Sequence, residues 1–195
     1  MEKLTETAGE ALEILHGMEL RRERAIRYSR DITRETKKMI HAIHVSDDAA
    51  GPREALRRLV SELTAETGAS LAGMGPAEDA LAEYAESMIL DSIVGGRETP
   101  SFADLGIGPG PWVLGLADCL GEMRRVVLTS LMSENVPYAV SVFSEMESVF
   151  RTIMLFDIPD PVLPIRRKQD IARGVMERTR TDITNAMMMS KLTKK

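Results

Sequence analysis

The sequence predicts a single all-α domain over residues 1–195, an antiparallel bundle of six or seven helices. Three observations support this prediction. Alanine, leucine, glutamate and arginine are abundant, whereas aromatic residues make up only 4% of the chain, a composition that favours helices over strands. Apolar residues recur at intervals of three and four, and no alternation of period two runs beyond four residues. With 195 residues, 44% of them hydrophobic, the chain can bury one sizeable core.

The first predicted element is a very long helix over residues 2–44. This stretch contains no proline, and its glycines are Gly9 and Gly17, so we expect one helix or two in tandem with a bend near Gly17. At ~1.5 Å of rise per residue it is roughly 60 Å long, about twice the width of a small domain. Because one chain cannot cover such a helix, we expect a homo-oligomer. Its apolar residues at helical spacing are Leu12, Leu15, Ile26, Ile32, Met39, Ile40 and Ile43.

Turn-forming residues divide the rest of the chain into five further predicted helices. A short turn is expected over residues 73–76. Residues 95–111 are rich in glycine and proline and predict a loop of about 15 residues, a length that favours a functional role. The five helices are predicted over residues 52–72, 77–94, 112–132, 137–156 and 165–192.

Charge is distributed unevenly along the chain, whose net charge is −5. The net charge is +5 over residues 21–38 and +6 over residues 166–195. The intervening residues 39–165 have a net charge of −12. A ligand meets the local field, so the two basic blocks are compatible with a polyanionic partner despite the acidic total. The alternative is that the basic residues are only solvated helix faces.

The lone cysteine and the hydropathy of the chain exclude two protein classes. Cys119 has no second cysteine to pair with, which excludes a disulfide scaffold and indicates an intracellular protein. No apolar run approaches the ~18 residues of a membrane span, and the N-terminus is too polar for a signal peptide. We therefore expect a cytoplasmic protein without a membrane partner.

Two pairs of carboxylates are candidates for a metal site. Glu83 and Glu86 lie three residues apart on the predicted third helix, and Asp118 and Glu122 lie four apart on the fourth. Either spacing places both members on one helix face. Like charges repel, so two such pairs facing each other in a bundle are tolerable only around a cation. Oxygen ligands alone favour Mg²⁺ or Mn²⁺ over Zn²⁺.

Two other interpretations of these pairs remain open. Either pair alone is also typical of a solvated helix face. A di-iron bundle needs Glu-x-x-His twice, and the histidines of this chain, His16, His41 and His44, all lie outside the pairs, which disfavours that site.

Basic residues form a stripe along the first helix, where they recur at three and four residues. Such a stripe offers a track for the phosphates of a single strand, and binding along it should depend strongly on salt. Aromatic residues are scarce there, so base stacking is not part of the prediction. The candidate nucleic-acid-binding residues are Arg27, Arg30, Arg34, Lys37, Lys38 and His41.

Four segments of the sequence, in the same order, resemble the translin superfamily and together cover most of the chain. They are RAIRYSRDITRETKKMIHAIH, EYAESMIL, PWVLGLADCLGEMRR and RRKQDIARGVMERTRTDIT. The resemblance implies a translin-like helical fold and assembly into hollow octamers whose acidic sites face an interior lined by basic residues.

The acidic motifs relate the chain to one branch of this superfamily. Translin-associated protein X (TRAX) is a Mg²⁺-dependent endoribonuclease with an E-x-x-E and a D-x-x-x-E pair, which match Glu83, Glu86, Asp118 and Glu122. Translin, chiefly a nucleic-acid-binding scaffold, lacks the full set. The chain therefore looks TRAX-like, and its short loops suggest a prokaryotic, archaeal form.

Together, the residues and the resemblance predict a homo-oligomeric, metal-dependent endoribonuclease that acts on single-stranded RNA. Single-stranded DNA is a second candidate substrate. The expected metal ligands, which are also the expected catalytic residues, are Glu83, Glu86, Asp118 and Glu122. The alternatives are a non-catalytic single-stranded nucleic-acid-binding scaffold, as in translin, and a helical oligomer with no nucleic-acid role.

Overall fold

The computed structural model describes residues 2–67 and 75–193, and within these ranges all regular structure is helical. This confirms the all-α prediction. The described ranges contain six helices, the lower of the two predicted numbers. The helices are α1 (Glu2–Val45), α2 (Ala50–Thr67), α3 (Gly75–Val94), α4 (Pro109–Met132), α5 (Val136–Ile153) and α6 (Arg166–Thr193).

Helix α3 is the centre of the bundle because it is buried on nearly all sides. It packs against α1 on one side and α4 on the other; α2 covers α1, while α5 and α6 cover α4. Small residues of α3, among them Ala77, Ala80 and Ala85, are almost fully buried, so neighbouring helices approach it closely. The two helices predicted to carry the carboxylate pairs, α3 and α4, are therefore direct neighbours.

The N-terminal half of α1 extends beyond the rest of the fold. The helix is continuous through Gly9 and Gly17, so of the two predicted alternatives the single helix is confirmed. Its second half buries one stripe of residues, which begins at Ala25. Before that residue large apolar side chains are exposed, with Leu4 70% and Leu15 59% accessible. As the helix length predicts, residues 2–67 and 75–193 do not cover the first half of α1.

The exposed apolar residues of α1 continue the register of its buried stripe. Leu4, Ala8, Ala11, Leu15 and Met18 alternate in steps of four and three, and the same alternation passes through the exposed Arg22 into the buried stripe. Such a repeat is typical of a helix that packs along another helix over its whole length. The exposed half is therefore shaped for a helical partner. The buried residues in the same register are Ala25, Ser29, Ile32, Thr36 and Met39.

Prolines explain where two predicted helix starts were wrong. Helix α4 begins at Pro109, not at 112, and α3 begins at Gly75, followed by Pro76, so the predicted loop and turn are both shorter. Proline fits the first turn of a helix because its missing N–H would have no partner there. The remaining part of the predicted turn, residues 73 and 74, and the predicted extension of α2 to residue 72 lie outside the described residues.

The other helix ends differ only slightly from the prediction. Helix α5 ends at Ile153 instead of 156, because the chain turns at Met154 ahead of the proline-rich segment DIPDP. No helix in the described ranges combines the length and apolar character that crossing a membrane requires.

Candidate functional site

The close packing of α3 and α4 brings the two predicted carboxylate pairs into one region. Glu83 and Glu86 lie on α3, and Asp118 and Glu122 lie on α4. All four residues are half-buried, so neither pair is a solvated helix face. Glu86 interacts electrostatically with each of the other three carboxylates. The two pairs therefore interact with each other, and their role as ligands stays a prediction.

Glu86 is the most strongly perturbed of these acids. Its pKa is raised from 4.5 to about 8, first by burial and then by the negative charges of Asp118, Glu122 and Glu83, against a smaller opposing effect of Lys168. Glu86 is thus held as a neutral acid at pH values where an exposed glutamate is ionised. A divalent cation among these oxygens would reverse this effect and ionise it.

Gly115 sets the distance between α3 and α4 at the level of Glu86. A Cβ at this position would lie 2.4 Å from the carbonyl oxygen of Ala82 and 2.8 Å from both the Cβ of Ala85 and the amide nitrogen of Glu86. Only glycine permits this approach, because the Ala82 and Glu86 atoms are backbone. Asp118 follows Gly115 by three residues and so lies on the same face of α4. Sequence reasoning missed this role, since a lone helical glycine carries no distinct signal.

Cys119 lies fully buried next to the carboxylates. Burial, together with the charges of Glu86, Glu122 and Asp118, raises the pKa of its thiol well above the ordinary value. A thiol kept protonated is a poor nucleophile and a poor metal ligand. Cys119 is therefore a small core residue beside the site.

Lys168 of α6 forms an ion pair with Asp118. Its Nζ lies 2.6 Å from both carboxylate oxygens and donates a hydrogen bond to each. The lysine is 29% exposed and the aspartate 39% exposed, so the pair lies at the boundary of the fold with solvent. Sequence reasoning missed Lys168, because only the packing of α6 on α4 brings a residue 50 positions away to Asp118.

His44, near the end of α1, contacts the other acid of α4. Its Nε2 lies 2.5 Å from a carboxylate oxygen of Glu122, and its side chain is only 5% exposed. The histidines lie outside both acidic pairs in the sequence, and the fold brings His44 to Glu122. The contact joins residues 78 positions apart, which sequence spacing cannot show. Neither α3 nor α4, which carry the acidic pairs, contains the Glu-x-x-His motif of di-iron bundles.

These two basic residues explain why the acids are not arranged as a metal cage. Among residues 2–67 and 75–193, no three histidine, cysteine, aspartate or glutamate side chains stand close enough to hold a metal ion as they lie. Asp118 points its oxygens at Lys168, and Glu122 points one at His44. The donor set is nevertheless suited to a hard divalent cation, since it consists of carboxylates around a half-buried Glu86. Binding would require Asp118 to exchange its ammonium partner for the metal.

The predicted basic stripe lies on the surface of α1, on the side opposite to its buried residues. All six candidates, residues 27, 30, 34, 37, 38 and 41, are exposed. Arg34 pairs with Asp31 at 2.9 Å, and Lys38 pairs with Glu35 at 2.7 Å, so part of the stripe is neutralised by the same helix. Arg27 lies over the ring of Tyr28, 5.7 Å from its centre.

The stripe and the acidic region are adjacent on α1. His41, the last residue of the stripe, precedes His44 by one helical turn, and His44 contacts Glu122. The end of the stripe therefore lies one helical turn from the contact between α1 and Glu122.

No protein-family model matches the chain. The chain is 34% identical over 176 residues to uncharacterized protein MJ0175 of Methanocaldococcus jannaschii, in an alignment that covers 88% of this chain and 78% of that protein. The sequence similarity thus extends over most of both proteins.

Solved structures show the same architecture. AfC3PO superimposes with a TM-score of 0.86 at 26% identity, covering 94% of this chain and 98% of that one. A complex of AfC3PO with duplex RNA gives a TM-score of 0.85 at 26% identity, covering 94% and 97%. The fold of apo-NeC3PO is also alike, with a TM-score of 0.83 at 20% identity over 92% and 96%.

The sequence motifs, the six-helix architecture and these similarities agree with one another. C3PO complexes are of the translin and TRAX type, the superfamily that the four sequence segments resemble. The chain belongs to the family of MJ0175 and, by its fold and motifs, to the translin superfamily.

Proposed function

We propose that this protein is a metal-dependent endoribonuclease of the TRAX type. The observation that carries the proposal is the half-buried Glu86, which is surrounded by the charges of three further carboxylates. In the metal-free bundle an ionised Glu86 is destabilising, whereas around a divalent cation its charge is favourable. Glu83, Glu86 and Asp118 would hold Mg²⁺ or Mn²⁺, and Glu122 would be a further ligand or orient the attacking water.

The residues of the chain have distinct tasks in this reaction. When bound, the metal polarises the scissile phosphate and lowers the pKa of the attacking water. His44 contacts one oxygen of Glu122 and limits the rotation of its carboxylate, and the other oxygen would orient such a water. The chain needs no nucleophilic side chain, which agrees with the protonated state of Cys119.

RNA is the proposed substrate. The related AfC3PO has been solved with duplex RNA, and the exposed basic stripe of α1 provides cations along the approach to the carboxylates. We propose that single strands are cleaved, with single-stranded DNA as a second candidate, because a strand must lie flexibly between helical walls to reach half-buried acids.

The test is cleavage of end-labelled RNA by the purified protein, offered both as a single strand and as its duplex. Internal cleavage of the single strand is expected with Mg²⁺ or Mn²⁺ and none with EDTA. Salt-dependent binding without cleavage at any metal concentration would support the scaffold alternative, which the pairing of Asp118 with Lys168 favours. Absence of salt-dependent binding would instead leave a helical oligomer without a nucleic-acid role.

The basic stripe gives a prediction about binding. Arg30 and Lys37 are suitable targets because Arg34 and Lys38 already pair with acids of α1. The double substitution Arg30→Ala, Lys37→Ala should weaken single-strand binding about tenfold. It should also lower the salt slope, the slope of log affinity against log salt concentration, by about one for each phosphate that is no longer neutralised. Fluorescence anisotropy across a salt series measures both. Arg58→Ala, which removes an exposed arginine from α2, is the control. An unchanged salt slope in the double variant would contradict the assigned track.

We also propose that the chain forms a homo-oligomer, an octamer as the superfamily resemblance implies, through the exposed half of α1. Leu15→Glu places a charge within the uncovered apolar stripe and should reduce the molar mass measured by light scattering at micromolar concentration. His16→Glu introduces the same residue about 100° around the helix from Leu15, outside the apolar stripe, and should leave the mass unchanged. Equal masses for the two variants would show that the stripe is not an interface.

A further inference from the structure

Lys168 occupies the position that a metal ion would need on Asp118. Its ammonium group bonds both oxygens of the carboxylate at 2.6 Å, so neither oxygen is free for a second cation at the same place. Two cations in contact with one carboxylate repel each other strongly at this separation. Lys168 and a divalent ion therefore compete for Asp118.

The ion pair has little value for the stability of the fold. Pairs exposed to this extent contribute up to about 1 kcal/mol, since water competes for both charges. Asp118 and Lys168 line a hollow of about 80 Å³ between α4 and α6. The lysine stem is flexible, and its ammonium group can move from the carboxylate toward solvent without crossing the core.

A released ammonium group would lie beside the metal-bound substrate. A phosphodiester bound to the metal would bring its non-bridging oxygens next to Asp118. Their negative charge would then attract the ammonium group of Lys168 in place of the carboxylate. Lysine binds phosphate well as a compact point charge. The charges therefore fix the order of binding. The ammonium group of Lys168 first pairs with the carboxylate of Asp118, and it pairs with the substrate phosphate once the metal is bound.

We propose that Lys168 is a phosphate-binding residue that is held on Asp118 until a divalent ion displaces it and that then contacts the substrate phosphate. This inference rests on the proposed function. Lys168 makes metal binding and strand binding interdependent. Metal binding breaks the ion pair between Lys168 and Asp118, and strand binding gives Lys168 a new ion pair with the phosphate.

The experiment compares Lys168→Met, which keeps the apolar stem, with Arg167→Met, which removes a charge from the neighbouring exposed position of α6. Mn²⁺ affinity is measured by titration without nucleic acid. Single-strand affinity is measured by anisotropy with Ca²⁺ in place of Mg²⁺ to slow cleavage. Lys168→Met should bind Mn²⁺ roughly tenfold more tightly and the metal-supported strand roughly tenfold more weakly, as expected when a single cation is removed from the site. Arg167→Met should change either affinity by less than about twofold.

Lys168→Arg provides the second measurement, because it keeps the charge and should restore most of the strand affinity while lowering Mn²⁺ affinity again. Circular dichroism confirms that each variant is folded. If Lys168→Met binds Mn²⁺ no more tightly than the parent, or if its strand affinity equals that of Arg167→Met, Lys168 is only a surface ion pair and this inference fails alone. If the parent binds no Mn²⁺, the proposed function fails, and this inference with it.

Discussion

Replacing Glu86 with glutamine should abolish metal-dependent cleavage and, in the same protein, stabilise the metal-free fold. Loss of a central carboxylate ligand should lower the cleavage rate by roughly a thousandfold, equivalent to several kcal/mol of lost transition-state stabilisation. In the metal-free state, however, Glu86 is destabilising, because burial and three neighbouring negative charges oppose its ionisation. Glutamine has nearly the same shape and no charge.

The pH dependence of stability follows from the raised pKa of Glu86. In the unfolded chain the group ionises near its ordinary value of 4.5, whereas in the folded protein it stays protonated up to about 8. Between these values the folded state binds the extra proton, so the free energy of unfolding decreases as pH rises. The decrease attributable to Glu86 is on the order of 4 kcal/mol across this window. Glu86→Gln should remove it.

Urea denaturation in EDTA at pH 5 and pH 8 measures this difference, and repeating it with Mg²⁺ should show the largest metal stabilisation at the higher pH. Glu78→Gln makes the same exchange at an exposed site on α3 and should alter neither cleavage nor the pH dependence. A Glu86→Gln protein that is less stable than the parent at pH 8, or that cleaves RNA normally, would contradict the assignment of Glu86.

Local spacing was sufficient to predict the helices and the two carboxylate pairs. The intervals between Glu83 and Glu86 and between Asp118 and Glu122 are properties of one helix each, and helical periodicity fixes them regardless of tertiary packing. The two basic blocks and the uncovered length of α1 could also be predicted, because they too depend only on the local sequence. Helix starts were less accurate because Pro109 can either end a loop or begin a helix.

The partners of the carboxylates could not be predicted because they come from distant parts of the chain. His44 and Lys168 lie on α1 and α6, and neither belongs to a motif with the acid that it contacts. Which face of α6 meets α4 depends on packing over the whole interface. The result matters chemically, since these two residues decide which carboxylate oxygens are available to a metal.

Gly115→Ala should disrupt the site without altering an ionisable group. The added Cβ would overlap the carbonyl oxygen of Ala82 and the amide nitrogen of Glu86, which are backbone atoms of α3 and cannot rotate away. Either α3 and α4 move apart or the helix backbone distorts, and overpacking of this kind costs about 1–3 kcal/mol. The displacement occurs at Glu86 itself, so Mn²⁺ affinity and cleavage should fall together with stability.

Gly121→Ala is the matched control on the same helix, because a Cβ there meets nothing within 4 Å. This substitution should stabilise α4 by about 0.5–1 kcal/mol, since alanine loses less backbone entropy than glycine on helix formation. Thermal denaturation and Mn²⁺ titration of the two variants separate helix propensity from helix spacing. If Gly115→Ala also gained stability and kept its Mn²⁺ affinity, the approach of α3 to α4 would not be what holds the two carboxylate pairs together.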